Sequence, residues 1–178
     1  MPEEIRIPKQ KRSIEKKEAL KKAAVELFST KGFHNTSSNE IAKKANVSIG
    51  TFYSYFVDKK SLYEELITDL YNESLQEIMV IDVSGFTSPR EFVRRYVALI
   101  LHNHEYMTAF QKEISALSLQ YDDLHELEAR ARAGAFRTFF SLLETNKQML
   151  RISDLKTTSL ILQCALESVV HEVTFYEN

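Results

Sequence analysis

The 178-residue sequence has few of the residues that interrupt helices, with only four glycines and three prolines. Both counts are well below ordinary usage. A sandwich, a barrel or a Rossmann-type fold needs many turns, so this scarcity predicts long helices with few breaks. The predicted fold class is all-α.

Cysteine is also nearly absent, since Cys164 is the single one. One cysteine excludes internal disulfides and any multi-cysteine zinc site, and it fits a reducing cytosol. The apolar helical sequence around Cys164 predicts a small buried side chain. No cluster of ligand residues has metal spacing, so we expect no metal and no cofactor.

Long apolar runs are missing as well. The longest, Tyr96 to Leu101, has about six residues, whereas a membrane-spanning helix needs roughly 20. Residues 1–12 contain no apolar stretch typical of a signal peptide. We therefore expect a soluble, cytoplasmic protein with no membrane partner.

Charge is unevenly distributed. Residues 1–62 contain 13 Lys and Arg and 7 acidic residues, a net charge of +6, and the remainder has a net charge of −8. A basic N-terminal third predicts a head that binds a polyanion: DNA, RNA or a membrane surface. On charge alone, a solvated helix face explains the pattern equally well.

Helical periodicity begins near Ser13, after a basic segment, residues 1–12, that is predicted to be a flexible arm. Ser37 and Glu40 have the spacing of a capping box, which predicts a second helix. Gly32 is expected to end the first helix. The first helix has one apolar stripe, formed by Leu20, Ala23, Ala24, Leu27 and Phe28.

Two further helix starts follow. Ser48 predicts a third short helix to about Tyr55, and Asp58 predicts a fourth to about Val80. Two short helices joined by a tight turn form a helix-turn-helix, the element that enters the major groove of DNA. This predicts a DNA-binding domain over residues 13–62.

Residues 63–178 are predicted to form a helical regulatory and dimerisation domain. After a loop at 81–87, Ser88-Pro89 predicts a helix start. The helical pattern of 89–119 is expected to break near His104-Glu105. Further helices are predicted from Asp122 or Asp123 to Thr145, and from Ser153 or Asp154 onward. The last of these has an apolar stripe of Thr158, Ile161, Leu162, Ala165, Val169 and Val173.

About 40 residues near the N-terminus form the pattern Ala24-x-x-Leu27-Phe28-x-x-x-Gly32-Phe33-x-x-Thr36, followed by Ile41-Ala42-x-x-Ala45-x-Val47-Ser48-x-Gly50-Thr51-Phe52-Tyr53-x-Tyr55-Phe56-x-x-Lys59-x-x-Leu62. This pattern resembles the TetR family of bacterial transcriptional regulators. Beyond Leu62 the resemblance is architectural only. It implies a helix-turn-helix head joined by a long fourth helix to an all-helical body that binds ligand and dimerises.

The resemblance also implies roles for matched positions. Lys59, Tyr53 and Tyr55 would contact the DNA backbone, and Thr51 would face base edges unless it only caps or packs. The complete set of expected DNA contacts is Thr36, Ser37, Ser38, Asn39, Ser48, Ile49, Gly50, Thr51, Tyr53, Ser54, Tyr55 and Lys59.

The body contains aromatic and polar residues but no motif. Most of them are expected to fill the core, and a minority to line a ligand pocket. The candidates for that pocket are His102, Tyr106, Phe110, Glu113, Phe139 and Gln163. One helix only is predicted after Leu150, whereas the family has two there. Either the dimer surface is smaller, or a final helix is missing from this chain.

These observations predict a ligand-responsive transcriptional regulator, most simply a repressor. It would bind a palindromic operator as a homodimer and be released by a small-molecule effector. The alternative is a helix-turn-helix protein without an effector, gated by a protein partner or acting structurally. An enzyme is not expected, because the sequence has no nucleophile motif and no phosphate-binding glycine loop.

Overall fold

The computed structural model describes residues 11–79, 88–105 and 108–175. Every regular element in these ranges is a helix, which confirms the all-α prediction. The eight α-helices are α1 (Lys11–Lys31), α2 (Ser38–Lys44), α3 (Ile49–Tyr53), α4 (Lys59–Met79), α5 (Pro89–Glu105), α6 (Thr108–Ser118), α7 (Asp122–Thr145) and α8 (Leu155–Phe175). A 3₁₀ turn at Lys147–Met149 lies in the predicted connection between α7 and α8.

Side chains cap these helices at the predicted positions. Ser37 and Glu40 form both hydrogen bonds of a capping box at α2. The Ser48 hydroxyl accepts a hydrogen bond from Thr51 N at α3, and Ser88 Oγ accepts one from Glu91 N at α5. Each cap satisfies a backbone N–H that has no partner inside its helix. Helix α7 begins at Asp122 and ends at Thr145, as predicted, with Tyr121 at the cap position and no side-chain cap bond.

Two predicted boundaries shift. Lys11 and Arg12 belong to α1 rather than to the arm, and the remaining arm residues 1–10 lie outside the described ranges, as does the loop at 81–87. The third helix ends at Tyr53, two residues earlier than predicted. Tyr55 N and Phe56 N both bond to Phe52 O there, which ends the helical turn.

The chain forms two compact units. The first consists of Met1–Asp69 with Ala109–Leu117, and the second of Leu70–Thr108 with Ser118–Asn178. The first unit is therefore larger than the predicted head, because it includes the start of α4 and most of α6.

An aromatic cluster forms the core of the first unit. The Phe28 ring lies 5.2 Å from Tyr63 and 6.4 Å from Phe110, centroid to centroid. Phe33 packs against both Phe28 and Tyr63. Such ring pairs stabilise a fold beyond their buried area. Because these residues come from α1, the α1–α2 turn, α4 and α6, the cluster joins all four segments.

A smaller core lies in the second unit. Tyr96, Phe139 and Leu143 are buried together, and Leu162 and Leu166 of α8 are among the leucines packed on them. In the described ranges, no helix is long and apolar enough to cross a membrane.

The predicted apolar stripe of α8 lies largely on the surface, although Leu162 packs on the core. Ile161 is 62% exposed and Val169 57% exposed, whereas Ser159 and Gln163 are buried. Burial of Ser159 is possible because its hydroxyl donates to Leu155 O within the same helix at 2.6 Å. Cys164 is likewise exposed, not buried as predicted. Helix α8 therefore has one face in the core and a second apolar face on the surface.

Candidate nucleic-acid interface

A helix-turn-helix forms from α2, a four-residue turn and α3. Asn46 in the turn has a φ of 55°, a left-handed conformation that asparagine tolerates better than most residues. Val47 N then bonds to Ala42 O, so the turn is fixed by backbone hydrogen bonds. Ile41, Ala42 and Phe52 pack inward, as expected.

The exposed side of this motif is concave. An open cavity of about 580 Å³ lies at the surface between α2 and the start of α3. Asn39, Lys43, Asn46, Ser48 and Ile49 are exposed there. The full lining is Asn39, Ala42, Lys43, Asn46, Val47, Ser48 and Ile49. The surface thus offers amide, hydroxyl, ammonium and apolar groups, which are the types that contact phosphates and base edges.

Gly50 and Tyr53 extend this surface along α3. A Cβ placed on Gly50 would have only Ser48 Oγ within reach, at 3.9 Å, so the space above this residue is open. The Tyr53 side chain is 48% exposed. Both positions agree with the expected DNA-facing side, and their contacts with DNA remain predictions.

Three hydroxyl groups in α3 and its two caps already form hydrogen bonds within the protein. Ser48 Oγ lies 2.9 Å from Thr51 Oγ1, and either atom is able to donate. Ser54 Oγ donates to Thr51 O at 2.7 Å. Thr51 is half-buried in this arrangement. The capping role weighed for Thr51 is therefore compatible with its geometry.

Two expected contacts are buried instead. Thr36 is 2% exposed, and its hydroxyl donates to Gly32 O at 2.8 Å. Tyr55 is 5% exposed and belongs to the core of the first unit. Ser37 is exposed, but its hydroxyl serves the capping box, and Ser38 is half-buried. The front of α2 therefore presents less polar surface than the sequence indicates.

Lys59 points into the protein. Its ammonium donates to Phe33 O at 2.6 Å and to Thr36 O at 2.8 Å, and it lies 4.4 Å from the centroid of the Phe33 ring. Burial lowers the pKa of the Lys59 ammonium, and the charges of Glu113 and Glu40 oppose that shift. This geometry makes Lys59 a cap for the α1–α2 turn rather than a free phosphate contact.

Several other basic side chains form ion pairs within the protein. Lys31 Nζ lies 2.6 Å from Glu40, and Lys44 Nζ lies 2.8 Å from Glu26. The bond from Lys31, followed by those from Ser37, lowers the pKa of Glu40 to about 2. Lys43 is exposed and lines the cavity. Sequence reasoning missed Lys43 and Asn46, although the motif pattern places both beside the turn.

The expected ligand residues are divided between the two units. Phe110 and Glu113 lie in the first unit, where Phe110 is completely buried against Phe28 and Tyr63. Phe139 and Gln163 lie in the second unit. His102 is exposed, and Tyr106 lies outside the described ranges. A single pocket lined by all six residues remains a prediction.

Gln163 introduces polarity into the core of the second unit. Its Nε2 donates to Glu167 Oε1 at 2.8 Å, and its Oε1 is buried without a hydrogen-bond partner among the described residues. Burial, together with the charge of Glu167, raises the pKa of the Tyr96 phenol. No group of three metal-ligating residues occurs within the described part of the chain.

Comparison with known proteins gives the same assignment for the head. Residues 20–66 match the family model for "Bacterial regulatory proteins, tetR family". The uncharacterized HTH-type transcriptional regulator YuxN of Bacillus subtilis is 34% identical over 89 residues, which cover 50% of this chain and 30% of YuxN. The fatty acid metabolism regulator protein of the same organism is 28% identical over 105 residues, covering 55% of this chain and 52% of that protein.

These matches leave part of each relative uncovered, since the chain spans about a third to a half of their length. Solved structures extend the likeness of the fold over nearly the whole chain. A transcriptional regulator from Saccharomonospora viridis in complex with choline has a TM-score of 0.76 at 19% identity, covering 93% of this chain and 88% of that one. At this identity the likeness shows the fold alone.

The position of Lys59 generates a prediction about stability. We expect Lys59→Met to lower the free energy of unfolding by about 2 kcal/mol, because the hydrogen bonds from a charged group to Phe33 O and Thr36 O are lost. Urea titration followed by circular dichroism measures this. Lys60→Met is the matched control and should change stability by less than about 0.5 kcal/mol. Equal effects of the two substitutions would contradict the capping role.

Proposed function

We propose that this chain is a member of the tetR family of bacterial regulatory proteins, whose family model matches residues 20–66, and that it regulates transcription by binding an operator through α2 and α3. The observation that carries this proposal is the concave, polar, exposed surface of those two helices. We infer a regulator that works in the cytoplasm and is not an enzyme.

The dimensions of α3 fit this role. Five residues span about 7.5 Å at 1.5 Å per residue, less than the ~12 Å width of the major groove. The helix is able to enter with its N-terminus leading, where Ser48, Ile49 and Gly50 are exposed. Ile49 offers an apolar side chain that is able to contact the methyl group of a thymine. Lys43 and Tyr53 would contact the flanking phosphates.

The regulator is proposed to act as a homodimer. The surface face of α8 includes Leu160, Ile161 and Val169, which are each more than half exposed, and the exposed Cys164. Contiguous apolar surface of this kind favours association with another protein surface. A two-fold dimer would place two α3 helices in successive major grooves, about 34–36 Å apart, on a palindromic operator.

A small-molecule effector is proposed to release the operator. The relative named as a fatty acid metabolism regulator and the structural neighbour solved with choline support a sensing role for the helical body. Within this chain, the buried Gln163 Oε1 is an acceptor that a ligand is able to use. The effector must bind the two states with different affinity, because only that difference shifts the equilibrium. The mode without an effector remains the alternative.

Selection of genomic fragments by the purified protein tests the proposed function. We expect recovery of a palindromic site bound with nanomolar affinity, and a steep fall in affinity with salt, because phosphate contacts release counterions. Affinities are measured by fluorescence anisotropy on the best fragment and on a scrambled duplex. Weak binding that is equal for both duplexes would refute an operator-specific function.

Tyr53 provides a prediction at the proposed contact surface. We expect Tyr53→Phe to weaken operator binding by about 1–2 kcal/mol, through loss of one hydrogen bond to a phosphate, and to leave stability unchanged. Tyr121→Phe removes a phenolic hydroxyl outside the head. This variant is the control and should bind as the original protein does. Anisotropy and thermal unfolding measure both effects. An unchanged affinity for Tyr53→Phe would reject the contact.

The surface face of α8 generates a prediction about assembly. We expect Ile161→Glu to produce monomers at concentrations where the original protein is dimeric, because burial of an unpaired charge is costly. Lys147→Glu, exposed in the 3₁₀ turn that precedes α8, changes charge outside this face and should leave the dimer intact. Sedimentation velocity distinguishes the two. A dimer that survives Ile161→Glu would place the interface elsewhere.

A further inference from the structure

A carboxylate from α6 binds the turn that precedes the helix-turn-helix. Glu113 Oε1 accepts a hydrogen bond from Phe33 N at 2.6 Å, although the two residues are 80 positions apart. Phe33 lies two residues after the end of α1. Gly32 N makes the last hydrogen bond back into α1, to Phe28 O, and the N–H of the buried Phe33 needs an acceptor of its own. Glu113 supplies that acceptor.

The turn is shaped to admit this carboxylate. Gly32 has a φ of +79°, a conformation that favours glycine. A Cβ at Gly32 would lie 2.8 Å from Glu113 Oε1, closer than real Cβ contacts allow. The positive φ therefore favours glycine here, and a Cβ at this position would also displace the Glu113 carboxylate.

Helix α6 is firmly packed at this point. Phe110, Ile114 and Leu117 are buried, and their spacing puts them along one side of the helix. Glu113 lies next to that side and is half-buried. Its Oε2 is buried without a hydrogen-bond partner among the described residues. The carboxylate is thus directed at the turn by packing and is not a mobile surface group.

Lys59 of α4 binds the backbone of the same residue, Phe33. It donates to Phe33 O at 2.6 Å, while Glu113 accepts from Phe33 N. Two helices, α4 and α6, therefore hold the backbone of one residue. Ser37, the N-cap of α2, comes four residues after Phe33. The position of α2 depends on where these two side chains hold the turn.

The contact is a long-range link within the first unit, because residues 109–117 belong to that unit whereas the residues on both sides of them belong to the second. We propose that Glu113 is a positioning residue that couples α6 to the DNA-binding surface, because its carboxylate holds the α1–α2 turn and with it the start of α2. The inference rests on the proposed function, because it concerns control of operator binding.

Reciprocity makes the coupling measurable without knowledge of the effector. If α6 controls DNA binding, then DNA binding must in turn affect α6. The experiment is hydrogen–deuterium exchange of the full chain, free and bound to its selected operator duplex. We expect the duplex to slow exchange at Phe33 and in residues 109–117, although α6 is not among the proposed DNA contacts.

Variants at Glu113 test the residue itself. Glu113→Ala should weaken operator binding about tenfold, in line with loss of one hydrogen bond to a charged acceptor, and should abolish the duplex-induced slowing in 109–117. Glu113→Gln keeps a carbonyl acceptor and should lose less of both. Ala116→Gln, an exposed change on the same helix, is the control and should behave as the original protein. If Glu113→Ala does not fold, the Gln variant and the exchange of the original protein decide the question.

Gly32→Ala gives an independent check. It should weaken operator binding in the original background, because the new Cβ displaces Glu113 and the positive φ is strained. In the Glu113→Ala background only the backbone strain remains, so Gly32→Ala should cause a smaller further decrease in operator affinity. Equal losses in both backgrounds would mean that Gly32 and Glu113 are not coupled.

The outcomes separate this inference from the proposed function. If the original protein selects no operator, the proposed function fails, and this inference fails with it. If it binds an operator but exchange in 109–117 is unchanged, or if Glu113→Ala matches Ala116→Gln in affinity and exchange, only the inference is overturned. Slower exchange in α6 that is lost in Glu113→Ala supports it.

Discussion

The backbone between α1 and α2 makes only part of its hydrogen bonds within the turn, and side chains from α4 and α6 supply others. The turn changes direction at Gly32, whose positive φ ends the helical ladder. Carbonyls of Phe33 and Thr36 then point at one ammonium group, that of Lys59. Three donors on a flexible stem suit this task, since a lysine accepts nothing and donates in several directions. The aromatic cluster of Phe28, Phe33, Tyr63 and Phe110 packs beside it and excludes water.

This use of charge changes the meaning of the basic N-terminal third. Lys59 donates a hydrogen bond to the α1–α2 turn, Lys31 forms an ion pair with Glu40, and Lys44 forms one with Glu26. These side chains organise the helix-turn-helix internally, so the net charge of the segment overstates the charge available to DNA. Surface ion pairs contribute little stability individually, but they fix side-chain positions. Specific recognition would then depend on a few exposed groups on α2 and α3, of which Lys43 is the basic one beside the cavity.

Local features of the fold were predictable from the sequence, and features that depend on distant contacts were not. Ser37, Ser48 and Ser88 cap their helices because a cap involves only residues three positions apart. Thr36 and Tyr55 were assigned to DNA although the fold buries them, since spacing alone does not reveal which hydroxyl turns inward. In α8, periodicity identified an apolar stripe but not which of two apolar faces enters the core. The Glu113–Phe33 bond spans 80 residues, and no pattern in the sequence signals it.

The geometry at Phe33 also indicates how a small movement is able to have a large effect. Lys59 and Glu113 each bind this residue at 2.6 Å, one at the carbonyl oxygen and one at the amide nitrogen. A relative displacement of α4 and α6 by about 1 Å would lengthen either contact to about 3.6 Å, beyond hydrogen-bond range. The turn would then lose a buried bond or follow one helix, and α2 would move with it. Because packed elements shift between discrete arrangements rather than deform continuously, such a contact favours two defined positions of the turn over a graded series.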